Sequence, residues 1–165
     1  MIKVVIKDVP EVVEGVNEAS RLGIGRVDKL SGKYVVDVIE AAFIIQTGRG
    51  EVVDSSGKKL SVGELFTMYS KNINDWAKFA VYYDLRMRGK RVRMGFQEND
   101  LIVEYGSEKI AVFVTEENNP IAVSKLLEWV KYALSKDLKP ILAVVDMHGD
   151  ITYYEVLETN LVNIG

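Results

Sequence analysis

The chain has 165 residues, 48% of them apolar and 27% charged, with a net charge of −3, one histidine and no cysteine. That is the profile of a globular protein with one substantial domain or two small ones sharing an interface. It excludes disulfides, thiolate catalysis and Cys-ligated zinc, and it fits a reducing cytoplasm. The acidic balance supplies no global attraction for nucleic acid, so such a partner has to be met through local clusters or through another chain of a shared assembly.

Met1 to Pro10 alternates apolar and charged residues and lacks the apolar core of a signal peptide. No apolar run approaches the roughly 18 residues of a membrane span, so no membrane partner is expected. Asp8 to Leu22 is acidic and rich in small residues, a helix or irregular lead-in. Arg26 to Val36 reads as an extended stretch turning at Ser31-Gly32. From Asp37 the pattern becomes helical, with Val38, Ile39, Ala42 and Ile45 on one face and Gly48 as the stop. Ser61-Val62-Gly63-Glu64 is a capping box, in which hydroxyl and carboxylate each satisfy a free amide at a helix start. The helix it opens carries Leu65, Met68 and Tyr69 inward and fades by Lys71.

Asn72 to Asn74 divides the chain, giving expected domains at 1–73 and 74–165. Asp75 to Arg88 is a helix with Trp76, Phe79, Ala80, Tyr83 and Met87 on one stripe. Arg86 and Arg88 sit at its negative end, and Gly89 ends it. Strands follow at Arg91–Met94, Leu101–Tyr105 and Lys109–Thr115. Asn119-Pro120 starts another helix, because proline suits the first helical position; its core stripe is Val123, Leu127, Val130 and Leu134. Ile141 to Val145 suits a strand buried on both faces, and Asp146 to Asp150 turns the chain into a last strand, Ile151 to Leu157. The expected fold class is α+β: a small N-terminal α/β domain followed by a mixed sheet flanked by helices.

Several stretches of this sequence occur in one order at one spacing. They are the helix end Asp84-Leu85-Arg86-Met87-Arg88-Gly89, the run from Gly95 to Tyr105, Lys139 through Asp146, Gly149-Asp150-Ile151 and Tyr153-Tyr154. Glu40-Ala41, Gly48 and Glu51-Val52 precede them. In this ordered set the chain resembles the archaeal tRNA-splicing endonucleases from about Tyr34 onward.

The resemblance implies cleavage at bulge-helix-bulge motifs of precursor tRNA by the RNA's own 2′-hydroxyl, with no metal or cofactor, leaving a 2′,3′-cyclic phosphate and a 5′-hydroxyl. Such chemistry needs a base, an acid and a cation for the charge on phosphorus, supplied in the family by tyrosine, histidine and lysine. Lys139 stands where the family lysine does. Counted from Gly95, Tyr105 takes the tyrosine position; counted from Asp100, Glu104 takes it. The histidine is missing, because the stretch that should hold it is Gly106-Ser107-Glu108 and the only imidazole is His148, far along the chain. The resemblance therefore implies a structural subunit of a heterotetramer, two copies each of this chain and a catalytic subunit, with Tyr105 and Lys139 as relics of the site.

Binding roles follow from the same resemblance. In the family an acidic loop at Asp146 to Asp150, which here includes His148, docks on the opposing dimer, and the last strand, with Tyr153 and Val156, pairs subunits edge to edge. Arg86, Arg88, Lys90, Arg91 and Arg93 form a basic cluster, read either as a solvated face or as phosphate contacts. Lys131 falls where the family carries a base-gripping arginine; lysine keeps the charge and loses the planar stacking. Two other readings stand beside this one. The first is a metal-dependent nuclease using Asp100 and Glu104, which lacks the expected Glu-x-Lys strand. The second is an interaction module outside RNA processing.

Overall fold

A computed structural model describes residues 1–119 and 121–157. Two five-stranded mixed sheets are built from the two halves of the chain. In the first half lie β1 (Ile2–Ile6), β2 (Pro10–Glu14), α1 (Val16–Leu22), β3 (Arg26–Val27), β4 (Tyr34–Val35), α2 (Val38–Gln46), β5 (Gly50–Val53) and α3 (Val62–Tyr69). The sheet order is β3-β4-β2-β1-β5, with β1 and β5 parallel. The expected lead-in at Asp8 to Leu22 thus splits: Pro10–Glu14 pairs with β1, and only Val16–Leu22 is helical.

Both first-half helices with capping boxes start where the side chains dictate. Asp37 accepts the Ile39 amide while Glu40 accepts the Asp37 amide. Ser61 and Glu64 do the same for α3. α2 is buried almost all round, including Ala41, Phe43 and Ile44 outside the expected face, because other elements cover it on several sides. In α3 Leu65 is buried as expected, but Met68 points to solvent.

The second half runs α4 (Asp75–Met87), β6 (Arg91–Met94), β7 (Asp100–Tyr105), β8 (Glu108–Glu116), α5 (Val123–Ser135), β9 (Lys139–Val145) and β10 (Ile151–Glu155). The order β10-β9-β8-β7-β6 is antiparallel throughout except for β8 and β9, which are parallel and joined through α5. Alternation along these strands sorts their side chains onto two faces. Val92, Leu101, Val103, Val112, Ala143 and Val145 face α4, within one cluster that continues through Ile2, Val4, Ile39 and Ile44 of the first half. Ile102, Ala111 and Phe113 face α5, where Trp129 meets Phe113 edge to face at 5.2 Å.

The buried stripes of both second-half helices differ from those expected. α4 buries Ala77, Lys78, Val81 and Tyr82, leaving Trp76 and Met87 largely exposed. It lies between α2 and the second sheet, so its most enclosed side is set by two neighbours; Phe43 of α2 meets Tyr82 and Tyr83 at 5.5 and 6.1 Å. α5 starts at Val123, after Asn119 and Ala122, rather than at Pro120, which lies outside the described residues. It buries Trp129, Val130 and Ala133, while Val123 and Leu134 are exposed. The shared cluster runs across the expected division at 73 and 74, whose later part, 158–165, lies outside the described residues. Among the described residues no helix is long and apolar enough to cross a membrane.

Candidate functional site

The second sheet brings Tyr105 and Lys139 together at one end. β7 stops at Tyr105, β8 begins opposite it at Glu108, and β9 begins at Lys139 beside Ile110. Val103 pairs with Ile110, so Tyr105, Val103, Ile110 and Lys139 share one face, the face toward α4. Glu104 pairs with Arg91 and Lys109 on the opposite face. Of the two registers open in the sequence, only the one that uses Tyr105 gives a side chain on the same face as Lys139.

The immediate surroundings of the two residues are cationic and aromatic. Tyr105 is 52% exposed, and the Lys90 ammonium stands 3.3 Å from its ring centroid. Lys139 faces Glu155 across the β9–β10 pair, Nζ to Oε1 at 3.5 Å. Farther along the sheet, the hydroxyl of Tyr153 on β10 donates to Asp84 of α4 at 2.6 Å, and Arg88 Nε lies 3.1 Å from the same carboxylate. Burial, together with the Asp84 carboxylate, pushes the Tyr153 phenol above its ordinary value of 10.0. The arrangement can hold an anion near a phenol, but it contains no imidazole.

The reason is geometric. Gly106 and Ser107 alone form the β7–β8 turn, with Gly106 at φ 61°, a two-residue connection that only a residue tolerant of positive φ opens cheaply. Glu108 belongs to β8, so no loop exists at that place. His148 lies in the turn after β9, at the other end of a seven-residue strand, about 20 Å from Lys139 at ~3.3 Å per residue.

The basic cluster read from the sequence is divided by the fold. Arg86 turns inward: its guanidinium donates to the carbonyls of Leu22 (2.6 Å), Gly23 (2.8 Å) and Val92 (2.7 Å) and to the Tyr82 hydroxyl (3.1 Å). The expected RNA contact for Arg86 is thus replaced by a clasp between the two halves. Arg88 and Lys90 lie toward the α4 face. Arg91 and Arg93 flank buried Val92 and so project on the other face, where they line a cavity of about 280 Å³ with Ser20, Gly23 and Glu104. Lys131 is exposed on the outside of α5.

The turn at Asp146 to Asp150 is closed by its own first residue. Asp146 Oδ1 accepts the amides of His148 (2.8 Å) and Asp150 (2.9 Å), while His148 and Asp150 stay exposed. β10 is an edge strand of the described sheet. Tyr153 packs toward the α4 face and Val156 against the α5 cluster, while Thr152, Tyr154, Glu155 and Leu157 are exposed there.

Two residues proposed for a metal site are kept apart. Asp100 and Glu104 stand four residues apart on one strand, about 14 Å at ~3.4 Å per residue, whereas carboxylates on one ion lie within about 5 Å of each other. Asp100 is fully buried and accepts the Trp129 indole N–H (3.1 Å) and the Gln97 amide (2.8 Å), a structural use. The sequence reading missed Asp84 and Glu155 as partners of site residues. The Asp84–Arg88 pair was detectable as an i, i+4 spacing; the cross-strand contact of Glu155 had no sequence signal.

The second half is thus a mixed sheet with helices on both faces that places a tyrosine and a lysine on one face at one end. The family described as tRNA intron endonuclease, catalytic C-terminal domain, matches residues 76–153. The chain is 32% identical over 133 residues to a tRNA-splicing endonuclease of Thermococcus kodakarensis, covering 77% of this chain and 79% of the relative. It is 30% identical over 134 residues to that of Pyrococcus furiosus, covering 78% of each. An EndA-like protein of Methanopyrus kandleri is 31% identical over 119 residues, covering 70% of this chain and 71% of the relative. The chain belongs to the tRNA-splicing endonuclease family.

Proposed function

We propose that this chain is a structural subunit of a heterotetrameric tRNA-splicing endonuclease and does not itself cut RNA. The observation that carries the reading is the two-residue turn Gly106-Ser107: Tyr105 and Lys139 share a face, but no histidine stands with them, the only one being His148. A phenol and an ammonium alone leave the departing oxygen without a proton donor matched to neutral pH. The exposed carboxylate of Asp150, with His148, and the edge strand β10 supply surfaces for assembly with a catalytic subunit. Precursor tRNA is then met through the complex, in the cytoplasm.

Reconstitution tests this. The chain is purified alone, and again with a histidine-bearing homologue from the same source, and each preparation is assayed for intron excision from a bulge-helix-bulge substrate. Excision only by the mixture is the expected result. Robust cleavage by this chain alone would sink the proposal, and failure to associate with the homologue would favour an interaction module outside RNA processing.

A further inference from the structure

Away from Tyr105 and Lys139, a second cationic place lies at the seam between the two halves, beside the edge strand β6. Its cavity of about 280 Å³ has Arg91, Arg93 and Glu104 on the sheet side and Ser20, Gly23 and Gly25 on the other. Arg91 does not extend freely into water. Its guanidinium lies against Gly23, where an added Cβ would come within 2.6 Å of Nε and 3.0 Å of Cζ. The Gly23 carbonyl is held from behind by Arg86 at 2.8 Å. The Tyr34 hydroxyl donates to the Ile24 carbonyl at 2.6 Å, and the Gly25 amide donates to Glu40 at 2.6 Å. The wall facing the arginines is therefore fixed peptide by peptide, by side chains from α4, β4 and α2.

This place lacks an anion. Among the described residues neither Arg91 nor Arg93 is in an ion pair, although Glu104 stands directly across from Arg91 in the strand register. Arg86, behind the wall, donates to carbonyls and a phenol, all neutral. The surrounding elements add Arg21, Arg26 and Lys109 as exposed cations, Lys109 across from Glu104. Carboxylates are fewer. Besides Glu104 there are Glu18, paired with the Met1 amine at 3.3 Å, and Glu40, whose carboxyl burial pushes up and so opposes an anion less. Two guanidinium forks on one strand face match the oxygens of a phosphate. Glu104 beside them suits a phosphate with a neighbouring hydroxyl to donate, and it opposes a bare polyanion.

We propose that this seam binds the phosphate monoester of a ribonucleotide, with Arg91 and Arg93 taking the phosphate oxygens, Ser20 donating a further bond and Glu104 accepting a ribose hydroxyl. A free mononucleotide and the phosphorylated end of an RNA strand carry the same group. The site uses neither Tyr105 nor Lys139 and stands whether or not the chain cuts RNA.

The test titrates the full chain at low salt with AMP, with inorganic phosphate, and with a ten-nucleotide RNA carrying either a 5′-phosphate or a 5′-hydroxyl. Saturable binding of AMP below about 1 mM assigns the site to a free nucleotide, and a preference of about fivefold for the phosphorylated strand assigns it to an RNA end. Arg91→Gln with Arg93→Gln is expected to weaken binding about tenfold or more; both side chains are exposed, and an unchanged urea midpoint checks that the variant is folded. Glu104→Gln is expected to weaken AMP about fivefold while leaving inorganic phosphate unchanged or tighter. In the wild-type chain AMP should protect Arg91 and Arg93 from phenylglyoxal, mapped by mass spectrometry, a readout that needs no variant. Absence of saturable AMP binding together with no preference for the phosphorylated strand, unchanged affinity in the folded double variant, or protection confined to other arginines would each overturn the site. Loss of the catalytic subunit by that variant, with nucleotide binding intact, would also overturn it and make the seam a protein interface.

Discussion

Arg86 of α4 donates through Nη1 to the Leu22 carbonyl at 2.6 Å, across 64 residues of sequence. With Gly23 and Val92 completing its fork, this one guanidinium binds the end of α1, the loop after it and the first strand of the second sheet. Lysine has no planar fork and cannot serve three divergent carbonyls at once. Arg86→Ala is expected to cost about 3 kcal/mol, since several charge-assisted bonds are lost and their acceptors stay partly buried. Arg86→Lys should recover less than half of that. Urea unfolding followed by fluorescence of Trp76 and Trp129 measures both.

Asp100 carries the second expected cost. Asp100→Ala leaves the Trp129 indole and the Gln97 amide without acceptors inside the protein and should destabilise by about 3 kcal/mol. Asp100→Asn keeps one acceptor oxygen and should cost about half as much. A larger loss for Asn than for Ala in thermal unfolding would contradict the role given to the carboxylate.

Tyr153 links stability to alkaline pH. Its phenol is raised above 10.0 in the folded chain by burial and by Asp84, so the unfolded chain loses this proton first. The contribution is fully present below pH 10 and is lost as pH rises through the folded value. Tyr153→Phe should therefore cost about 1 kcal/mol at neutral pH, and the gap to wild type should narrow above pH 10. Denaturant midpoints measured across that range, with tyrosinate absorbance alongside, decide it.

In the reconstituted complex, Tyr105→Phe and Lys139→Ala in this chain should each change the cleavage rate by less than about twofold. Losses of two orders of magnitude or more, measured under single turnover, would mean that these residues take part in the chemistry.

Helix starts offer a local control. Ser61→Ala removes the acceptor for the Glu64 amide and should cost about 1 kcal/mol. Thermal unfolding reads it without reference to function.

The amino-acid sequence by itself determined the elements whose signals are local. The Ser61–Glu64 box, the helix starting after Asp37, and strands β6, β7 and β8 follow from hydrogen-bonding side chains and two-residue alternation. It also determined that the only histidine, His148, lies outside the stretch between Tyr105 and Lys109. Tertiary structure decided which side of α4 and α5 is buried. Both helices carry apolar residues on more than one stripe, and burial goes to the side the neighbours enclose, α2 and the second sheet for Ala77, Val81 and Tyr82 of α4 and the second sheet alone for Trp129 and Ala133 of α5. It also decided which side chains share a face: the pairing of Val103 with Ile110 beside Lys139 puts Tyr105, and not Glu104, on the face of Lys139. Arg86 shows the reason most directly. Its place at a helix C-terminus is local and was visible, but the carbonyls it serves lie far off in the chain, where no spacing rule reaches.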